Sequence, residues 1–381
     1  MNGALPAPAG FREAVVDLGA IAANTGALLA LARERGLREL IAVVKAEAYG
    51  HGMEPVARTV LASGASGLGV ADVGEALALR AAGIEAPVIC WLHGEDTDFA
   101  PAVAAGIDLA VSSARQLFRV LAAGAATGAT PRVQLKLDTG LSRNGVPAED
   151  WDAVFGAVAA AVQDGRARLT GVFSHLANAS EESDESAARA LNEGIARLRA
   201  LGAEPGSTHL AATGALMSRP GWGMSAARVG IGLYGLTPFA PQEGPVAGLR
   251  PAMTLRATVA AVRRVPKGTG VSYDHSYRTS RETTLALVPL GYADGVPRAA
   301  SDVAPVRIGE RLHRIAGRVA MDQFVVDVGD APVRVGEEVV LFGDPAAGAP
   351  SADEWAAACG TIGYEIVTRI GPRVPRRYLQ P

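Results

Sequence analysis

Cysteine is nearly absent from this chain. Cys90 and Cys359 are the only thiols in 381 residues, both in apolar-looking segments and without metal-ligand spacing. That excludes a disulfide framework, and it leaves structural thiols, a reducing compartment and no metal site as the expectation. An excess of one charge is missing too, since 36 Lys and Arg stand against 39 Asp and Glu for a net charge of −3. Such a balance gives no reason to expect a nucleic-acid partner. No apolar run approaches the roughly 18 residues of a membrane helix, and the start MNGALPAPAGFREAVVDLGA lacks the basic-then-apolar order of a secretion signal. The expected protein is cytoplasmic, with no membrane association. Internal repeats and low-complexity tracts are also lacking. What remains is a chain with 49% hydrophobic and 20% charged residues, enough for two globular domains.

Short apolar runs alternate with helical patterns over the first two thirds. Strands are expected at Ile41–Lys45, Gly67–Ala71, Pro87–Leu92, Ile107–Val111, Arg132–Asp138, Leu169–His175, Ser207–Ala211 and Arg228–Leu233. Between them, segments such as Met53–Leu61, Val73–Ala82, Ala114–Ala123 and Glu185–Leu201 place apolar residues at helical spacing. Alternation of this kind implies βαβ units, and a count of eight strands favours a closed (β/α)8 TIM-like barrel over an open sheet. Near Pro238–Pro245 the chain becomes rich in proline and glycine, and beyond it Thr254–Val265, Thr283–Val288 and Glu338–Phe342 read as strands with few helical patterns. The expected fold is therefore α/β plus β, with a barrel over 1–245 and a C-terminal mostly-β domain over 246–381.

Several strings carry chemistry. In Ile41-Ala-Val-Val-Lys-Ala-Glu-Ala-Tyr-Gly-His-Gly52, a β-branched run ends in Lys45, with Tyr49 four residues on. A lysine at the carboxyl end of a strand either reaches solvent or, at a barrel rim, stands ready for Schiff-base formation with a carbonyl. Gly230-Ile-Gly-Leu-Tyr-Gly235 fits the spacing of a dinucleotide fingerprint, but no helix is expected to open from it and no acid follows at the required distance, so that reading fails. Further strings are Leu135-Lys-Leu-Asp-Thr-Gly-Leu-Ser-Arg-Asn-Gly145, Gly171-Val-Phe-Ser-His175, His209-Leu-Ala-Ala-Thr-Gly214, Arg228-Val-Gly230, Val271-Ser-Tyr-Asp274, Gly291-Tyr-Ala-Asp-Gly295, Gly317-Arg-Val-Ala-Met-Asp-Gln323 and Thr361-Ile-Gly-Tyr-Glu365.

Taken in this order, from about Arg12 to Tyr378, the strings resemble those of the alanine racemases. The resemblance implies a pyridoxal 5'-phosphate (PLP) enzyme interconverting L- and D-alanine, with Lys45 carrying the cofactor and acting as one base. Tyr273 from the other chain of a homodimer would be the second base, as removal and return of a proton on opposite faces of one carbon requires. It further implies that Tyr49, Thr213, Gly230, Ile231 and Tyr364 hold the cofactor phosphate. Arg228 would face the ring nitrogen, where a permanent cation withholds its proton, and His175 would link it to Tyr273. Arg143 would touch cofactor and substrate carboxylate, Tyr292, Met321 and Asp322 would border the substrate entrance, and Lys136 would be the lysine that the family often carbamylates. Glu47 stands where the family usually has Asn or Asp, Ala212 where it has Asn, and Asp274 where it has Gly. The N-terminal segment, residues 12–18, would pair with the C-terminal domain. The family role is D-alanine supply as a peptidoglycan precursor. Three other readings share parts of the pattern: a racemase of this fold for another or broader set of amino acids, a barrel-type PLP decarboxylase, which would need an acid where Arg228 stands, and a non-catalytic PLP-binding protein built from the barrel alone.

Overall fold

In the computed structural model, which describes residues 7–94, 96–240 and 248–380, a first strand β1 (Arg12–Asp17) precedes eight parallel strands that close on themselves. These are β2 (Glu39–Val43), β3 (Gly67–Val70), β4 (Val88–Cys90), β5 (Asp108–Val111), β6 (Arg132–Lys136), β7 (Arg168–Phe173), β8 (Ser207–His209) and β9 (Ala226–Val229), with β9 pairing back onto β2. Their side chains are almost all buried, as strands covered on both faces must be. Helices follow the strands, and several start where a side chain caps them: Asp72 accepts from Glu75 N–H ahead of Val73–Ala81, and Ser113 from Gln116 N–H ahead of Ala114–Thr127. The expected (β/α)8 barrel is thus present, with each strand within a few residues of its expected place.

The largest departure is the eighth barrel strand. It ends at Val229 rather than at Leu233, and Ile231–Tyr234 forms a 3-10 turn. Gly235 closes that turn at φ +74°, where a Cβ would collide with the Arg250 carbonyl. No α-helix opens from the glycine string, in keeping with the rejected dinucleotide reading.

Two compact units result. The barrel unit holds Thr25–Ala48 and Met53–Gly230; the other holds the chain up to Asn24, Tyr49–Gly52 and Ile231 onward. The expected domain boundary at 245/246 falls within 241–247, outside the described residues. The second unit is sheet-rich: β10 (Met253–Thr258), β11 (Ala261–Val265), β12 (Gly270–Val271), β13 (Tyr277–Arg278), β14 (Thr283–Val288), β15 (Pro305–Ile308), β16 (Arg311–Arg314), β17 (Phe324–Gly329), β18 (Glu338–Phe342) and β19 (Arg376–Leu379). One sheet runs β16-β15-β18-β10-β1-β19 and another β11-β14-β17. β1 lies antiparallel to β10 and parallel to β19. The β stretch expected over Thr254–Val265 comprises two strands in different sheets: Val259 N–H bonds the Glu337 carbonyl and Ala260 N–H the Leu287 carbonyl, which hands the chain from one sheet to the other. Along β17, Phe324, Val326 and Val328 alternate into a core shared with Phe342 and Trp355. Buried Arg256 on β10 is held by Glu13 on β1 and Glu338 on β18. Among the described residues no helix is long and apolar enough to cross a membrane.

Candidate active site

Around Lys45 the backbone does something no strand or ordinary helix does. β2 stops at Val43, and Ala46, Glu47, Ala48 and Tyr49 follow with φ of 52°, 53°, 52° and 56°, a left-handed turn built from non-glycine residues. Each such residue costs about 1–2 kcal/mol, so neighbours must hold the turn in place. Glu75, in the first turn of the helix after β3, does so from one carboxylate: Oε1 accepts from Ala46 N–H at 2.6 Å and Oε2 from Ala71 N–H at 2.7 Å. Glu47 accepts from Met53 N–H at 3.2 Å and so tethers the start of the helix Met53–Ala62, a structural duty for a residue that departs from the family pattern. Lys45 is left partly buried, and its ammonium is pushed below the usual lysine range by burial first and then by Arg143, with Glu75 opposing.

Lys136 ends β6, and burial followed by the charges of Arg143 and Arg228 presses its pKa down to about 8. Arg143 rides on the loop after it, exposed to solvent. That loop is folded by Asp138, whose Oδ1 accepts from Gly140 and Ser142 N–H groups, both at 3.1 Å. Gly145, at φ +135°, lets the loop return against Leu137, where a Cβ would meet Asp138 N at 2.5 Å.

Arg228, on β9, is only 5% exposed, and each of its hydrogen-bond acceptors within the barrel is neutral. NH1 donates to His209 Nδ1 at 2.7 Å and to the His209 carbonyl at 3.1 Å, while NH2 donates to the Ser174 carbonyl at 2.7 Å and to His175 Nδ1 at 3.0 Å. Burial first, then Arg143, brings its pKa to about 10, so it stays cationic near neutrality. His175 is pushed down to about 3 by burial and then by Arg228, and His209 falls well below its usual value for the same reasons. Both imidazoles are therefore neutral acceptors. Thr213 Oγ1 accepts from Gly230 N–H at 3.2 Å, which brings these two residues together. Ala212 precedes a short helix that lacks a side-chain cap.

The carboxyl-end rim of the barrel thus gathers Lys45, Lys136, Arg143 and Arg228, and among the described residues Glu75 and Asp138 are the acids that act on the two lysines. Such an excess of cations suits a ligand carrying several negative oxygens.

In the second unit the remaining site residues fall into two groups. The rings of Tyr49 and Tyr364 lie 6.1 Å apart and those of Tyr49 and Tyr234 4.8 Å apart; burial raises the Tyr49 phenol and, with Asp353, raises Tyr364 to about 12, so both are neutral hydroxyls. Ile231 is buried in the 3-10 turn beside them in sequence. The other group is exposed. Tyr273 sits between β12 and β13 on a loop whose Ser272, Asp274 and His275 have φ of 59°, 62° and 47°, and Ser272 Oγ anchors it by donating to the Arg318 carbonyl at 2.7 Å. Asp274 occupies a left-handed position, which explains the family's usual glycine there. Tyr292 and Met321 are drawn together by backbone bonds from Tyr292 N–H to the Ala320 carbonyl and from Ala293 N–H to the Met321 carbonyl; Gly291 permits this approach, since a Cβ would meet both carbonyl oxygens at 2.3 Å. Arg373 joins Asp322 (2.7 Å) to buried Asp294 (3.4 Å).

Sequence reading gave no role to Glu75, His209, Arg373 or Gln134, whose Oε1 lies 3.1 Å from His209 Nε2. His209 had a visible signal, a histidine ending β8 as His175 follows β7. The other three act on backbone atoms or side chains that only the fold brings near.

Comparison with known proteins gives a consistent picture. The sequence profile described as "Alanine racemase, N-terminal domain" matches residues 16–238, and "Alanine racemase, C-terminal domain" matches 252–378. The chain is 49% identical over 371 residues to a protein of Frankia casuarinae named alanine racemase, covering 96% of each. It is 50% identical over 381 residues to the alanine racemase of Mycolicibacterium smegmatis, covering 98% of this chain and 96% of that one. Among solved structures, the alanine racemase of D-cycloserine-producing Streptomyces lavendulae superposes with a TM-score of 0.95 at 46% identity, covering 98% of both chains. That of Streptomyces coelicolor A3(2) gives 0.93 at 45% identity, covering 97% of this chain and 98% of that one.

Proposed function

Because the chain belongs to the alanine racemase family, we propose that it interconverts L- and D-alanine with PLP by a two-base mechanism in which Lys45 and Tyr273 each move a proton. The observation that carries this reading is the barrel rim itself, where a lysine of lowered basicity stands among Arg143, Lys136 and an Arg228 held only by neutral acceptors.

The residues present fit the cofactor. Four cations against two acids suit a phosphate and a phenolate, and Thr213 Oγ1, the Gly230 and Ile231 amides and the neutral Tyr49 and Tyr364 hydroxyls are the groups that would hold the phosphate. When bound, PLP supplies an aldehyde that condenses with amines and a conjugated ring that accepts the electron pair left at Cα. The protein supplies the rest. Burial and Arg143 keep more of Lys45 as the free amine, the form that would condense with the cofactor's aldehyde and, once the substrate's own amine has displaced it, take up or return a proton at Nζ. Arg228 donates hydrogen bonds and keeps its protons, which favours prompt return of the substrate proton over side reactions. Arg143, exposed at the rim, takes the substrate carboxylate. A carbamylated Lys136 would set a negative charge beside Arg143 and orient it.

Tyr273 is the base for the opposite face. It is 69% exposed and Met321 is 54% exposed, unusual for large apolar-bodied side chains, and a second copy of the chain covering them accounts for this exposure. In that homodimer Tyr273, Tyr292, Met321 and Asp322 of one copy border the substrate entrance of the other.

A chiral assay with L-alanine and a panel of other L-amino acids tests the substrate: alanine should turn over well ahead of the panel. Borohydride reduction should fix the cofactor to Lys45 alone among the chain's three lysines. Tyr273→Phe should retain cofactor and lose racemisation, and unchanged turnover in that variant would end the two-base reading.

A further inference from the structure

We infer that Gln134 is a positioning residue that accepts the Nε2–H of His209 and thereby holds the His209 Nδ1 lone pair on Arg228. The inference deepens the reading above, because it concerns how the arginine of the proposed cofactor site is held.

The argument starts from the one group whose hydrogen-bonding role cannot vary. A guanidinium only donates. Arg228 NH1 lies 2.7 Å from His209 Nδ1, so that nitrogen must present its lone pair. His209 is completely buried beside a cation and stays neutral, which leaves a single ring proton, and that proton must be on Nε2. A buried N–H requires an acceptor, and Gln134 Oε1 is there at 3.1 Å. The other tautomer would set a ring N–H against the guanidinium N–H and leave Nε2 facing the amide oxygen, two mismatches from one proton shift.

The surroundings leave Gln134 and His209 little freedom. Gln134 is 2% exposed on β6. The residue opposite it on β7 is Gly171, and a Cβ there would stand 2.3 Å from Gln134 Oε1 and 2.8 Å from Nε2, so the glycine makes the space that the amide fills. Phe173 stacks on the His209 ring at 4.8 Å and 17°, and the Arg228 guanidinium lies over the same Phe173 ring at 5.2 Å. A continuous polar chain, Gln134–His209–Arg228–His175, therefore crosses the barrel interior. Its Gln134 end lines a cavity of about 160 Å³ with Asp108, Arg132, Thr170 and Ser207, at the end of the barrel opposite Lys45. Gln134 touches no reacting atom, so its effect on turnover runs entirely through His209 and Arg228.

The test is nitrogen NMR on the full-length protein carrying 15N-histidine, with His209→Gln used to assign the resonance. Wild-type protein should show a protonated Nε2 and an unprotonated Nδ1 at His209. Gln134→Leu leaves the Nε2–H without its acceptor and should shift the Nε2 resonance while lowering kcat by on the order of tenfold, the effect of one lost buried hydrogen bond, with little change in KM. Gln134→Glu keeps an acceptor facing Nε2 and should bring back a hydrogen-bonded Nε2–H and much of kcat; it also carries the test if the leucine variant does not fold. A protonated Nδ1 in wild type, or a Gln134→Leu protein with unchanged nitrogen signals, overturns the inference. The expected tautomer in a protein that turns over no alanine would uphold the Gln134 lock while refuting the racemase reading.

Discussion

Lys136 is a different reagent from a lysine in water. With its pKa pressed down to about 8, its amine is neutral in about one molecule in ten at pH 7, against about one in three thousand for an unperturbed lysine. A neutral amine is what carbon dioxide requires: Nζ attacks the carbon, an N–C bond forms, and a proton leaves to solvent. Protein equilibrated with 13C-bicarbonate should show a carbamate carbonyl signal that strengthens as pH rises toward 8, fades as pH falls, and is absent from Lys136→Arg. Lys45, Lys136 and Lys267 are the only lysines in the chain, so single substitutions assign the signal. No signal at pH 8 would remove carbamylation from the proposed mechanism. At this scale the sequence strings named the residues that carry charge toward a ligand, such as Arg143 and Arg228. They were silent on Glu75 and Gln134, whose partners Ala46 and His209 lie 29 and 75 residues away and are set by barrel closure.

At the scale of elements, the left-handed turn after β2 depends on one carboxylate. Glu75→Ala leaves the Ala46 and Ala71 N–H groups without their acceptor, and it should lower unfolding free energy by about 1–3 kcal/mol in urea titrations. It also removes the carboxylate that raises the Lys45 pKa, so labelling of Lys45 by an amine reagent should reach half its maximum at lower pH than in wild type. A stable variant with unaltered Lys45 titration would show that the turn holds itself. The loop bearing Tyr273 makes the complementary case: Asp274→Gly places the residue suited to φ 62° and should raise stability by up to about 1 kcal/mol, and a clear fall in melting temperature would contradict the strain argument. These two segments also mark where sequence reading reached its limit. Eight barrel strands could be read because each is a buried apolar run bounded by helical periodicity, and β14 and β18 appear with their expected ends. Consecutive left-handed residues, the break at Val259 and the 3-10 turn after Val229 leave no periodic trace, since tertiary hydrogen bonds and close backbone approaches decide them.

At the scale of the whole molecule, the proposal that Tyr273 serves the partner's site has a consequence that no single chain can imitate. Lys45→Ala abolishes one base and Tyr273→Phe the other, so each homodimer should be inactive. A mixed dimer differs. In a two-fold dimer, the site containing the Lys45 of the Tyr273→Phe chain receives the Tyr273 of the Lys45→Ala chain and is complete, whereas the other site lacks both bases. Random exchange puts half of the dimers in the mixed form with one working site of two, so an equimolar mixture, once unfolded and refolded together, should recover roughly a quarter of wild-type turnover. Exposure of Tyr273 and Met321 in the single chain is the physical reason to expect such exchange to be productive, because those surfaces have no cover of their own. If the refolded mixture stays as inactive as its parents while sedimentation shows dimers, Tyr273 acts within its own chain or not at all. Activity near a quarter, rising with the fraction of mixed dimers, would make the dimer the smallest catalytic unit.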